Sequence, residues 1–285
     1  MSFNRKVKDE LLDVWHSNKC CKLAEMLGLL LLSTDYSDKS IGIVTDSQKQ
    51  ADNYVKLSKK CLNIIPSKTK RTKHYNVYFE TKDIPYILNN FSVEIADSLF
   101  RCENCKNAFL MGAFLASGVI SDPQKEYRIE FVTKSEEISC LLYRVLFDYN
   151  LTPKMTIKNK KVSVYIKNSE SIEDLLTHMG AVKCSLALMN EKIIKDLKNT
   201  TNRKTNFETA NLKKSADSSA KHIAAIEKIE SNGKFDTLPD DLKKIAIARK
   251  ENLGISLSEL GKEFGLSRSG VHHRLKKICE IADKL

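Results

Sequence analysis

The C-terminal segment 256–278 carries the side chains best suited to contact nucleic acid. Ser256 followed three residues later by Glu259 predicts a capping box at the start of one helix, and Ser267 can cap a second helix. Gly265 lies between them and predicts a tight turn. Two helices joined by a short turn that contains Gly are typical of a helix-turn-helix.

The second of these helices has two chemically different faces. Val271, Leu275 and Ile278 recur at helical spacing and predict an apolar inner face. Polar and basic side chains occupy the outer face, which fits the major groove of double-stranded DNA. The predicted DNA-binding residues are the capping Ser256 and Ser267 and the outer-face Arg268, Ser269, His272, His273, Arg274, Lys276 and Lys277. The alternative is a three-helix bundle whose basic face is only solvated.

A second basic region lies within residues 56–82, which hold eight Lys and Arg against one acid, a local balance of +7. Its densest part falls on two predicted strands and their turn. Phosphate contacts without sequence readout are the chemistry this pattern favours, and we assign them to Lys68, Lys70, Arg71 and Lys73. A solvated hairpin whose lysines keep an edge strand soluble is the alternative. A weaker counterpart follows later in the chain, at Lys154, Lys158, Lys160 and Lys161.

The eight cysteines are scattered, which favours reduced thiols over a disulfide framework. Cys102 and Cys105 have the spacing of half a zinc ribbon, with no second such pair downstream. The adjacent Cys20 and Cys21 could complete four ligands only if the fold brought the two segments together. We therefore expect plain buried thiols, no bound metal and no cofactor.

The elements that position these side chains include an internal duplication between residues 20 and 180. The segments 24–33 and 108–117 align on Gly28 and Gly112. Each is followed by an apolar strand, an amphipathic helix, two strands joined by a basic turn, and a short helix. The sequence thus predicts an α+β fold, with a duplicated pseudo-twofold domain followed by an all-α helix-turn-helix domain.

Small residues form a stripe on the first helix of each copy. Ala108, Gly112 and Ala116 are four residues apart, and Ala24 and Gly28 begin the same stripe in the first copy. Glycine costs about 1 kcal/mol in a helix interior, so two at matched positions indicate that two helix backbones approach closely.

The chain divides into four predicted segments. These are a first repeat with its N-terminal extension, a second repeat, a helical linker and the helix-turn-helix domain, at residues 1–100, 101–180, 181–231 and 232–285. Within the linker, two helices flank the polar stretch 199–209, which is rich in capping residues. We interpret that stretch as a hinge; a recognition loop is the alternative.

The duplicated module resembles the LAGLIDADG homing endonucleases, and three segments resemble the WhiA family of bacterial proteins more closely. Those segments are 112–123, 202–213 and 267–277, in the family's order. The resemblance implies an endonuclease-like domain that has lost its catalytic residues, joined to a DNA-binding helix-turn-helix. It also implies roles in transcription, sporulation, cell division or chromosome segregation. The helix-turn-helix also looks like region four of bacterial sigma factors, so a sigma factor or another transcription protein is an expected partner.

In homing endonucleases an acidic residue at the end of each paired helix holds a divalent metal. Aligning the glycines puts Ser33 and Ser117 at those two positions. Neutral hydroxyls are poor ligands for Mg²⁺, and Asp35 and Asp122 come too late to substitute. We therefore expect degenerate metal-ligand positions, no catalytic residues and no enzymatic activity.

Composition limits the remaining classes of function. The chain has 285 residues with a net charge of +11, and its longest apolar run, residues 26–32, is far too short for a membrane span. No phosphate-binding glycine loop or nucleophile triad is present. We expect a cytoplasmic, nucleoid-associated protein that acts as a sequence-specific transcriptional regulator. A protein-interaction scaffold with auxiliary DNA binding is the main alternative, and a metal-dependent endonuclease the remaining one.

Overall fold

The structure is a computed structural model that describes residues 1–158, 161–252 and 254–285. Contacts divide the chain into two compact units, Met1–Lys195 and Asp196–Leu285. The four-segment division proposed from the sequence remains a prediction. No helix in the described part of the chain is long and apolar enough to cross a bilayer.

The first unit contains two copies of one α+β module, as the duplication predicts. An N-terminal helix, α1 (Phe3–Leu11), precedes them. The elements of the first copy are α2 (Lys19–Leu31), β1 (Asp35–Tyr36), β2 (Ile41–Thr45), α3 (Gln48–Leu62), β3 (Ser67–Arg71), β4 (His74–Tyr78), α4 (Ile84–Asn90) and α5 (Ala96–Leu99). Those of the second copy are α6 (Glu103–Ser117), β5 (Gly118–Ile120), β6 (Ile129–Thr133), α7 (Glu136–Asp148), β7 (Lys154–Lys158), β8 (Lys161–Ile166) and α8 (Ser169–Met179).

Each copy forms a four-stranded antiparallel sheet. The strand orders are β1-β2-β4-β3 and β5-β6-β8-β7, so the two sheets have the same topology. Helices cover one face of each sheet, and the buried residues on that face include Ile41, Ile43 and Thr45 of β2 and Ile129, Phe131 and Thr133 of β6. The short strands β1 and β5 complete the sheets by pairing with β2 and β6.

Helices α2 and α6 pack against each other at the centre of the unit, and the glycines explain how closely. A Cβ atom built on Gly28 would lie 2.2 Å from the carbonyl oxygen of Phe109. One built on Gly112 would lie 2.1 Å from the carbonyl oxygen of Glu25. Ala24 and Ala108 are fully buried beside them. The predicted backbone-to-backbone contact is confirmed.

The second unit contains the end of α9 (Val182–Ser231), followed by α10 (Asp240–Glu251), α11 (Leu257–Glu263) and α12 (Arg268–Asp283). Its core joins Ile226 and Ile229 of α9 to Leu242 and Ile245 of α10 and to the inner face of α12. The C-terminal domain is therefore helical, as predicted.

The predicted hinge at residues 199–209 is wrong, because α9 runs without interruption through that stretch. No Gly or Pro occurs between residues 182 and 231, so nothing in the backbone forces a break. The Thr201 hydroxyl donates to the carbonyl oxygen of Leu197, 2.9 Å away, one turn earlier. Capping-type side chains can thus be satisfied inside a helix, where they compete with the backbone without breaking it.

The helix contact in the first unit can be tested with Gly112→Ala. Alanine normally stabilises a helix interior, but here its methyl group would push the two backbones apart. We expect the free energy of unfolding to fall by about 1–3 kcal/mol, measured by denaturant titration of the full chain. Gly254→Ala is the chemical control, because nothing lies within 4 Å of that position. Equal or greater stability of the Gly112 variant would contradict the close contact.

Candidate nucleic-acid interface

Side-chain caps fix both helices of the predicted helix-turn-helix. The Ser256 hydroxyl accepts from the backbone N–H of Glu259 at 3.2 Å, and the Glu259 carboxylate accepts from the backbone N–H of Ser256 at 3.0 Å. The Ser267 hydroxyl accepts from the backbone N–H of Gly270 at 3.1 Å. Gly265 has φ of 64° in the turn between them, a backbone conformation that glycine adopts without strain. The predicted capping box and turn are confirmed.

Helix α12 separates an apolar face from a polar one. Val271, Leu275 and Ile278 are fully buried in the core. The exposed side chains on the other side are those of Arg268, Ser269, His272, His273, Lys276 and Lys277. Arg268, Ser269 and His272 also line an open groove with Leu257 and Ser267. The first two turns of α12 therefore present hydrogen-bonding groups at a concave surface.

Arg274 differs from the other candidates on α12, because its guanidinium group has partners within the domain. Its Nε atom donates to the carboxylate of Asp241 at 3.0 Å, and Nη1 donates to the carbonyl oxygen of Gly270 at 3.3 Å. This arginine thus ties α12 to α10. The sequence pattern cannot separate such a residue from exposed ones one turn away.

Two buried polar residues of this domain, Arg249 and His222, could not be recognised from the sequence pattern. Arg249 is buried and donates from Nη1 to the carbonyl oxygen of Ile255 at 2.6 Å, so it fastens the segment between α10 and α11. His222 is buried in the same domain, and burial, with the nearby charges of Arg249 and His272, lowers its pKa to about 4. His222 is therefore neutral at physiological pH.

In the first unit, α2 and α6 end beside one another at Ser33 and Ser117. A cavity of about 240 Å³ lies between these ends. The Ser33 hydroxyl donates to the carbonyl oxygen of Leu29 at 3.0 Å and also contacts that of Leu30. The buried Ser117 hydroxyl has no hydrogen-bond partner within the described residues. Neither serine brings a negative charge to the cavity.

The charged groups near this cavity are mainly basic. Lys134 and Lys161 line it together with the two serines. Asp35 lies past the end of α2 and is paired with Lys134 across 3.3 Å. Asp122 accepts from the backbone N–H of Gln124 in a turn after β5. In place of two carboxylates, a divalent cation would thus meet the ammonium group of Lys161 and the ion pair of Lys134 with Asp35.

The basic residues of the first hairpin lie on two different faces of its sheet. Directly paired residues of an antiparallel ladder share a face; Lys68 pairs with the buried Val77, and Lys70 pairs with Tyr75. Lys68 also forms an ion pair with Asp52 of α3. Both ammonium groups lie over the Tyr75 ring, 5.3 and 5.5 Å from its centroid. These two lysines therefore lie on the helix-covered side.

Arg71 lies on the opposite, open face. It pairs with His74, and alternation along β4 places His74 with Asn76 and Tyr78. Tyr78 is 43% exposed, so this side of the hairpin is open to solvent at that residue. Lys73 lies in the exposed turn between β3 and β4.

The open face of the second sheet has its own basic groups. Lys154 pairs with Tyr165, and alternation along β8 puts Lys161 on the same face. Arg128 lies 4.3 Å from the centroid of the Tyr165 ring. Lys160 lies outside the described residues. Among the side chains that the structure describes, the weaker of the two basic patches in the sequence thus supplies two lysines to the open face, against one arginine from the stronger patch.

Part of the net charge of +7 in residues 56–82 comes from side chains that do not lie on the sheets. Lys56 and Lys60, on α3, lie with Lys22 over the ring of Trp15, at 5.1, 4.0 and 4.9 Å from its centroid. A run of basic residues in the sequence is therefore not one basic surface in the fold.

The fold also brings together the four cysteines that the sequence left as two separate pairs. One sulfur atom from each of Cys20, Cys21, Cys102 and Cys105 lies within 4.8 Å of the other three. The cluster lies at the N-terminal ends of α2 and α6, whereas Ser33 and Ser117 lie at the C-terminal ends.

Comparisons with known proteins agree with this architecture. The family model of the WhiA LAGLIDADG-like domain matches residues 106–198, and that of the WhiA C-terminal HTH domain matches residues 201–282. The probable cell division protein WhiA of Alkaliphilus oremlandii is 34% identical over 313 residues, covering 100% of this chain and 98% of that protein. The protein of the same description from Ruminiclostridium cellulolyticum is 34% identical over 307 residues, with the same coverage of both chains.

A solved structure extends the comparison to three dimensions. The crystal structure of full-length DUF199/WhiA from Thermatoga maritima matches with a TM-score of 0.60 and 25% identity, covering 100% of this chain and 99% of that one. With both domain models matched and relatives aligned over their full length, the chain belongs to the WhiA family.

Proposed function

We propose that this protein is a sequence-specific DNA-binding regulator that reads double-stranded DNA with α12. The observation that carries the proposal is the outer face of this helix. Arg268, Ser269 and His272 are exposed at its start, while Val271 and Leu275 anchor the opposite side in the core. A rigidly anchored helix with exposed donors in its first turns has the geometry that reads base edges in the major groove.

The residues further along α12 contribute differently in this proposal. Lys276 and Lys277 lie in the C-terminal half of the helix and His273 lies one turn before them, at positions from which basic side chains reach backbone phosphates. Ser256 and Ser267 cap their helices and present backbone N–H groups at the helix starts, which favour phosphate oxygens. Arg274 acts mainly by holding α12 against α10.

The first unit adds sequence-independent DNA binding, through phosphate contacts made by the open faces of its sheets. Arg71, Lys154 and Lys161 are the basic side chains that the registers place there. Lys73 extends the set at the hairpin turn. Lys68 and Lys70 are less suited to this task because they lie on the helix-covered side and contact Tyr75 and Asp52.

We further propose that the protein does not cleave DNA. Ser33 and Ser117 cannot offset the charge of a divalent metal, and Lys134 and Lys161 beside them repel it. The same two ammonium groups would instead favour an intact phosphate at that cavity.

The names of the relatives indicate the cellular process in which this protein acts. Because the matched proteins are described as probable cell division proteins, we propose that this chain regulates cell division from the nucleoid. Its helix-turn-helix would act alongside a sigma factor or another transcription protein.

A protein-interaction scaffold is the second candidate, and exposed apolar side chains on α9 favour it. Phe207 and Leu212 are 68% and 71% exposed. In a scaffold, DNA binding is auxiliary, so changes on α12 would leave the genomic positions of the protein unchanged. If the protein is a regulator that reads DNA with α12, the same changes would remove it from those genomic positions.

The readout by α12 is tested with Arg268→Ala and His272→Ala in the full chain. Genomic fragments bound by the unmodified protein supply the target duplex, and a scrambled duplex serves for comparison. Each substitution should weaken binding to the target by about 1–3 kcal/mol per lost base contact, with little effect on scrambled DNA. Lys228→Ala, an exposed charge removal on α9, should change neither affinity. Equal losses on both duplexes would assign the two residues to the phosphate backbone.

The absence of cleavage is tested with supercoiled plasmid carrying the selected target, incubated with the protein and Mg²⁺ or Mn²⁺. We expect no nicked or linear product above the protein-free level, because Ser33 and Ser117 occupy the helix-end positions where carboxylates would hold the metal. Protein-dependent nicking that a chelator abolishes would overturn this part of the proposal.

The contribution of the open sheet face is tested by pairing Arg71→Gln with Lys68→Gln. The two variants lose the same charge three residues apart, on opposite faces of the hairpin. Arg71→Gln should reduce the slope of log affinity against log salt concentration by about 1, whereas Lys68→Gln should leave it unchanged. Identical slopes for both variants and the unmodified chain would show that this face does not contact phosphates.

A further inference from the structure

Four cysteine sulfurs converge at one end of the central helix pair. Cys20 and Cys21 lie in the first turn of α2, Cys102 is the N-cap residue of α6, and Cys105 lies in the first turn of that helix. Each repeat of the first unit thus contributes two thiols. Within the described residues, this is the one group of three or more His, Cys, Asp or Glu side chains arranged closely enough to hold a metal ion.

The distances match a single tetrahedral ion. Four thiolates at 2.3 Å from one zinc ion would lie about 3.8 Å from one another. The sulfur of Cys102 lies 3.6 Å from that of Cys20, 3.5 Å from that of Cys21 and 3.4 Å from that of Cys105. An iron–sulfur cluster inserts several irons and sulfides between its cysteines, and therefore needs a wider arrangement than this.

The surroundings favour thiolates. Both cysteine pairs lie at helix N-termini, where the helix dipole stabilises negative charge. The sulfurs of Cys20, Cys21 and Cys105 all lie within hydrogen-bonding distance of the Cys102 sulfur. The backbone N–H of Asn104 also faces this sulfur, as outer partners of metal-bound thiolates commonly do.

Other arrangements of four thiols explain the cluster less well. Buried cysteines that only fill space usually contact hydrocarbon, whereas here three of the sulfurs surround the fourth. Cys61, Cys140, Cys184 and Cys279 lie elsewhere and show the ordinary pattern of separate thiols. A single disulfide would use two of the four sulfurs and leave the other two without a role.

We propose that Cys20, Cys21, Cys102 and Cys105 bind one Zn²⁺ ion as a structural site that clamps the two repeats together. Four protein ligands leave no open coordination position, so the ion serves stability and not catalysis. Soft thiolate ligands in a tetrahedral arrangement select zinc over Mg²⁺ or Ca²⁺. Loading releases the thiol protons that remain at the pH of binding.

The experiment measures the metal content of the full chain, purified under reducing conditions after growth with added zinc. We expect about one zinc per chain by elemental mass spectrometry. Cys20→Ser and Cys102→Ser should each lose most of it. Cys140→Ser, on an exposed thiol of α7 outside the cluster, should keep it.

Cobalt titration of the unmodified, metal-free chain keeps the proposal testable even if a cysteine variant does not fold. Four thiolates around Co²⁺ give intense thiolate-to-metal absorption and tetrahedral ligand-field bands, which should saturate at about one equivalent and disappear when zinc is added. A chain with neither zinc nor these bands would overturn the proposal. So would iron in place of zinc, a disulfide within the cluster of the reduced protein, or zinc retained by both cluster variants.

Discussion

The backbone contact between α2 and α6 determines where every other part of the first unit lies. Gly28 and Gly112 let each helix rest on the carbonyl groups of the other, at distances that no side chain would permit. Because the two helices come from matched positions of the repeats, whatever follows one glycine is brought beside its counterpart. Ser33 meets Ser117 at one end, and the two cysteine pairs meet at the other. The two sheets, each joined to its helix by a short connection, are placed by the same contact.

Much of the fold was accessible from the sequence because it rests on local rules. The caps at Ser256 and Ser267 and the apolar face of α12 depend on residues within one or two helical turns of each other. The duplication was visible because both copies repeat the same order of patterns. The continuity of α9 is harder to predict, because residues 199–209 are polar types that often cap helices, although no Gly or Pro accompanies them.

The candidate sites were harder to predict because they depend on pairing. Alternation shows that Lys68 and Lys70 share a face, but only the register with Val77 and Tyr75 shows that this face is covered by helices. Arg71, next along the chain, points to the open side. The two cysteine pairs are 81 residues apart in sequence, from Cys21 to Cys102, and no local pattern indicates that the starts of α2 and α6 meet. Register and helix packing are long-range properties, and they convert a linear run of charge or thiols into a surface or a cluster.

The two ends of the helix pair now have opposite chemical character. At the C-terminal ends, hydroxyls and the ammonium groups of Lys134 and Lys161 replace the acids that the resemblance to homing endonucleases leads one to expect, so this end suits a phosphate better than a cation. At the N-terminal ends, four thiols lie within 4.8 Å of one another, and in the proposed zinc site they would leave no coordination position for a substrate. In the proposed site, the metal would therefore hold the two repeats together. In a nuclease, by contrast, the metal takes part in cleavage of the DNA. A domain that binds DNA without cutting it, as we propose for this one, requires the first property and not the second.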